Sequence, residues 1–372
     1  MYPMDPRIRR HAEVIVDRAI DLQPDENVVV SMPPVAEDLA VALYEQIGEV
    51  GANPMMVARG DRGIGTDRAA RAYLRAADED DLTAPEHLLQ LFKHADAAVV
   101  ARPHENVTEQ SDVSTEMGAA FGRAYREVLN ARLETKWCLT QHPAPADAQL
   151  AGMSTAAYED FVWSAVNKDW DAVEEHQEQM VEILDGADQV HIVSGDETDV
   201  TMSVKNMITL NDCGTNNIPA GEVFTAPVPD SVEGEVLFDK PVYHQAREVQ
   251  GAWLKFENGE VVDFSAEQNE GVLEGILTTD EGSNRLGELG IGMNRDIDRF
   301  TYNMLFDEKM GDTVHMALGR AYPATVGEGV EQNDSAKHVD MIVDMSEDSF
   351  IEVDGEVVQR NGTFRFEDGF EE

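Results

Sequence analysis

A chain of 372 residues is longer than a single hydrophobic core usually grows, so two domains are expected. Its apolar share, 42%, is ordinary for a globular protein, but 73 acidic against 28 basic residues leave a formal net charge of -45. That charge excludes nucleic acid and anionic membranes as partners, since both are polyanions held through Lys and Arg.

The acids are scattered (Asp78 to Asp81, Glu174, Glu175, Glu367, Asp368) and form no single tail, so the folded surface itself is acidic. At molar salt the Debye length falls to roughly 3 Å and such self-repulsion fades, which points to a halophilic protein of a high-salt cytoplasm. The start, with Pro3, Asp5 and Pro6, has no apolar h-region, and no run approaches the ~18 apolar residues of a membrane span. The expectation is a soluble, cytoplasmic protein. Cys138 and Cys213 form no CxxC pair and read as buried thiols.

In chain order, helical spacing of Ile8, Ile15, Ala19 and Leu22 predicts a helix over 7–22, and a β-branched run predicts a strand over 27–32. A helix over 37–50, a strand over 54–58, a helix over 84–94 and a strand over 96–101 follow. A helix over 115–133, a strand over 136–140 and a helical stretch over 156–184 complete the first half. This alternation predicts an N-terminal three-layer α/β domain, residues 1–186, with a mostly parallel sheet. Beyond Gly186 short apolar runs (190–193, 200–204, 236–238, 261–264, 313–318, 341–343) alternate with Gly, Asn and Asp turns. Residues 187–372 therefore read as a strand-rich mixed α/β domain, with sheets of mixed direction.

GxSxG, the P-loop and HExxH are absent, and Gly60, Gly63 and Gly65 lack the GxGxxG spacing. Any metal site must be assembled from distant segments. Glu222 follows a Pro-Ala-Gly turn, and Glu288 lies among Gly287, Gly290 and Gly292, where the backbone can bend closely around a bound group. His315 sits in the strand-like run Thr-Val-His-Met-Ala-Leu. His338 and Asp340 are two residues apart, so on a strand they share a face, which suits a hard or borderline cation; Asp344 continues that face. Singly, each also fits an ordinary acidic chain, the glutamates as solvated loop acids and His315 as a core histidine.

In order and spacing, however, these residues resemble the aminopeptidase T and aminopeptidase S family of two-metal metallopeptidases. The resemblance runs through Leu22-Gln23-Pro24, 143–151, Met153 to Val162, Gly221-Glu222-Val223-Phe224-Thr225-Ala226-Pro227 and Glu288-Leu289-Gly290-Ile291-Gly292. It continues through Asp307-Glu308-Lys309, His315 to Arg320 with Tyr322-Pro323, and His338-Val339-Asp340. It implies a metalloaminopeptidase whose two divalent cations are held by Glu222, Glu288, His315, His338 and Asp340, with Glu308 as a sixth ligand. It also implies that Tyr322 is the active-site tyrosine, able to hydrogen-bond the oxyanion of the scissile carbonyl, and that the protein is a homodimer.

Two cations roughly 3.5 to 4 Å apart can share a hydroxide and clamp the substrate carbonyl. Bridge and base fall among Glu222, Glu288 and Glu308, and Glu288 joins Tyr322 as a catalytic candidate. Oxygen and imidazole ligands admit zinc, cobalt, manganese or magnesium. Short peptides are the expected substrates. Two rival readings are a two-metal hydrolase of phosphoesters or cyclic amides, with Lys309 and Arg320 as the nearby cations, and a non-catalytic metal-binding homologue.

Overall fold

The computed structural model describes residues 4–60, 63–244 and 247–371. The chain forms two compact units. One runs to Lys168 and takes in Gly214–Ala220; the other comprises Asp169–Cys213 and everything from Gly221 onward.

In the first unit five strands form one parallel sheet, in the order Asn53–Ala58, Asn27–Met32, Ala97–Ala101, Lys136–Thr140 and Asn217–Ile218. Its central strands are apolar on both faces: Ala97 to Ala101 is buried throughout, as is Val28 to Met32. That pattern is expected where helices cover both sides of a parallel sheet. Helix starts follow capping chemistry, with Ser114 accepting from the Met117 amide and Ser154 from the Ala157 amide. The opening helix, expected over 7–22, is α-helical over Pro6–Val14 and continues as a wider π turn over Ile15–Ala19. A helix over Asp67–Ala76 was not expected, although Arg68, Arg71 and Arg75 recur at helical spacing alongside the buried Ala70 and Leu74.

The helical stretch expected over 156–184 is two helices, Thr155–Val166 and Trp170–Leu184. The second has its own N-cap, Asp169, which accepts from the Ala172 amide. It packs with the second unit: Met180 and Leu184 join that unit's core, and Gln177 Nε2 donates to the Asp212 and Glu222 carbonyls. The division therefore falls at Lys168/Asp169, where the sequence suggested residue 186.

The second unit is built on antiparallel ladders, where mixed direction was expected. One sheet has eight strands, in the order 260–265, 252–257, 233–238, 198–203, 189–194, 349–353, 356–360 and 363–364. A second has five, His338–Asp344, Thr313–Gly319, Leu286–Gly292, Glu222–Thr225 and Leu210–Asp212, and Val242–His244 pairs with Arg247–Val249 in a two-stranded third. One face of this five-stranded sheet (Leu289, Ile291, Val314, Met316, Leu318, Val339, Met341, Val343) joins the unit's hydrophobic core. Among the described residues no helix is long and apolar enough to cross a membrane.

Candidate metal centre

Period-2 alternation that sends those apolar residues to the core sends the intervening ones to the opposite face. In the ladders Gly292 faces Glu222, Gly290 faces His315, Glu288 faces Ala317, Ala317 faces Asp340, and Gly319 faces His338. Directly opposed residues of an antiparallel pair point the same way. Register alone thus places Glu222, Glu288, His315, His338 and Asp340 on one face of four adjacent strands, although 118 positions separate Glu222 from Asp340 in the chain.

Two glycines make this packing possible. A Cβ on Gly290 would lie 2.0 Å from His315 Cε1 and 2.2 Å from Nε2, so the imidazole lies flat across a strand that must carry no side chain there. Gly221, at φ +118°, turns the chain into the Glu222 strand against Asn294, whose Cβ a side chain would meet at 2.6 Å.

His315 is fully buried, and Glu222 and Glu288 are each 5% exposed. His315 Nε2 lies 3.1 Å from Glu288 Oε1 and 3.4 Å from Glu222 Oε2. His338 Nε2 lies 3.2 Å from Asp340 Oδ1 and 4.0 Å from Glu288 Oε2. Ligand atoms of Glu288, His315 and Asp340 fall within 4.8 Å of one another. His338 Nδ1 donates to the Arg320 carbonyl at 2.8 Å. That bond fixes the ring and leaves Nε2 as the ligating nitrogen once the imidazole is neutral.

Glu308 arrives from a different element. It follows the short helix Met304–Asp307, which Asp307 anchors by accepting from the Thr301 amide and hydroxyl, each at 2.7 Å. The next residue, Lys309, is fully buried. Its ammonium hydrogen-bonds Glu308 Oε1 and lies 3.0 Å from Glu222 Oε1 and 3.6 Å from Asp212 Oδ2. Tyr322 lies beside the group, its ring 4.8 Å from that of His338 and tilted 53° to it. Asp344 shares the face but lies at the far end of its strand, paired with Lys240 Nζ at 2.9 Å.

The electrostatics are those of a site short of positive charge. Burial raises the Glu222 and Glu308 carboxyls despite Lys309. Burial also pulls the two histidines down, but the surrounding carboxylates outweigh it. Glu288 and Glu222 hold His315 at about 9, and Asp340 and Glu288 hold His338 at about 10. Glu222 Oε2, Glu288 Oε2 and His315 Nδ1 are buried and make no hydrogen bond among the described residues. Clustered carboxylate and imidazole atoms without hydrogen-bond partners fit a divalent cation.

Sequence reading missed Asp212, whose only signal is a register opposite Glu222, and Asp307 as the anchor of the helix that delivers Glu308. It named Lys309 as a possible phosphate contact; instead three carboxylates surround that ammonium. Arg320, the other candidate, has an exposed side chain and offers its carbonyl to His338.

Buried acids and imidazoles converging from four strands of an α/β protein define a candidate metal centre. The chain belongs to the thermophilic metalloprotease (M29) family, whose match covers residues 4–364, and a divalent metal is accordingly its cofactor. It is 26% identical to aminopeptidase 2 of Geobacillus stearothermophilus, over 98% of each chain. It is 27% identical to aminopeptidase T of Thermus aquaticus, over 94% of each. The fold is similar to that of wild-type AmpT from Thermus thermophilus, with a TM-score of 0.84 and 24% identity over 97% of this chain and 99% of that one.

Proposed function

We propose that this protein is a metal-dependent aminopeptidase that releases amino-terminal residues from short peptides at the Glu222, Glu288, Glu308, His315, His338 and Asp340 cluster, with two divalent cations. The observation that carries the reading is the convergence of five of these residues on one face of one sheet, within a chain whose curated relatives are aminopeptidases.

Bound there, zinc, cobalt, manganese or magnesium supplies an activated water and a Lewis acid for the scissile carbonyl. Glu288, Asp340 and both imidazoles would hold one ion, and Glu222 and Glu308 would hold the second. Glu288 lies 3.1 Å from His315 Nε2 and 4.0 Å from His338 Nε2, which supports it as a ligand beside both imidazoles. Partial burial and the nearby Glu288 and Asp340 carboxylates raise the Tyr322 phenol, so it stays protonated and can donate to the developing oxyanion. A phosphoester substrate would need a free cation here; Lys309 is already engaged by three carboxylates. The acid excess supports a high-salt cytoplasmic setting, and the family resemblance a homodimer.

The test is hydrolysis of aminoacyl p-nitroanilides and short peptides before and after chelation, from dilute buffer to molar KCl. Chelation should reduce cleavage to background, and Glu288→Gln should lower kcat about 10³-fold. Activity and Tm should rise with salt. Undiminished cleavage after the metal is stripped would overturn the reading, and highest stability in dilute buffer would overturn the setting.

A further inference from the structure

We infer that Lys309 is a positioning residue of the metal centre: its ammonium fixes Glu222 and Glu308 for the second divalent ion. The inference rests on the two-ion reading above.

An ammonium carries three donors and no acceptor. Here three carboxylates meet it: Glu308 by hydrogen bond, Glu222 Oε1 at 3.0 Å and Asp212 Oδ2 at 3.6 Å. With the side chain fully buried, no solvent screens these contacts, of which the one to Glu308 is a hydrogen bond and those to Glu222 and Asp212 are ion pairs. Glu222 is thereby oriented, with Oε1 on Lys309 and Oε2 turned to within 3.4 Å of His315 Nε2. Without the ammonium, Glu222 and Glu308 would repel each other across the slot and lose the geometry a shared ion needs.

The backbone is built to hold this cation. Asn294 donates its amide to the Lys309 carbonyl at 3.1 Å, and Asp307 ties the preceding helix to Thr301. Asp212 faces Glu222 across the ladder, so it belongs to the same face and serves as the outer wall of the ammonium slot.

The experiment counts ions in the full-length protein. Chelator-stripped wild type, K309M, K309R and D212N are titrated with Mn2+ in high salt, following the free-ion EPR signal, with circular dichroism to verify folding. Wild type should take two ions. K309M should keep the first at near wild-type affinity and bind the second at least tenfold more weakly, while K309R, which retains the charge in a larger head group, should fall between. Two ions of unchanged affinity in K309M overturn the role of Lys309 alone, and a wild type that takes one ion overturns the two-ion reading and this inference with it. If K309M does not fold, D212N decides: a second affinity reduced with the first unchanged supports the role, and an unchanged second affinity overturns it.

Discussion

The Ala97–Ala101 strand of the first unit and the Thr313–Gly319 strand of the second are both buried along their whole length, for opposite reasons. The first presents alanine and valine to both sides of a parallel sheet. The second is apolar only on the core side; its other side carries His315 against Glu222 and Glu288. Burying apolar surface stabilises a fold, whereas burying ionisable groups costs free energy unless something neutralises them. One strand is therefore explained by stability and the other only by a ligand.

The comparison is broken most sharply by exchanging the two kinds of position. Met32, fully buried in the first unit's sheet, should cost about 2–5 kcal/mol of stability when changed to Ala, seen as a lower Tm, with kcat of the remaining folded enzyme within about twofold. His315→Ala should do the reverse. Activity of the protein that remains folded should fall about 10³-fold or more with loss of the imidazole. If Met32→Ala abolished turnover in still-folded protein, or His315→Ala kept it, the division between the strands would be wrong.

A smaller effect separates contact with substrate from metal holding. Tyr322→Phe removes one hydroxyl and leaves the ring against His338, so kcat should fall about 10²-fold at unchanged metal content. Equal loss of metal and activity would assign Tyr322 to the ligand set.

How much was legible in the sequence follows the same line. Continuous apolar runs such as 27–32 and 97–101 announce themselves, and alternation of helix and strand fixed the parallel sheet in advance. The unit division was misplaced because Trp170–Leu184 continues the helical pattern of Thr155–Val166, and only Asp169 as an N-cap marks the break. The candidate ligands came through resemblance, since singly each looks like a solvated acid or a core histidine. Asp212 and the cage around Lys309 were out of reach, because they depend on register: Asp212 meets Glu222 only through the pairing of two short strands, and no local pattern encodes that.

The gentlest probe is proton linkage. In the metal-free protein His315 at about 9 and His338 at about 10 are both protonated at neutral pH, standing in for the missing cations, whereas ligation requires neutral imidazole. Metal uptake at pH 7 should therefore release the two imidazole protons and that of Glu222, which burial raises to about 8, and affinity should rise with pH by up to about tenfold per unit for each proton released, levelling off near pH 10. Stability carries the matching sign. Both histidines are raised above their ordinary 6.5, so their stabilising contribution to the stripped protein is complete below that pH and lost as pH climbs through 9 to 10. The loaded protein, whose imidazoles are already neutral, should show no such decline. Mn2+ titrations in buffers of different ionisation enthalpy, with Tm followed from pH 6 to 10, check both; pH-independent affinity would mean that the imidazoles are not among the ligands.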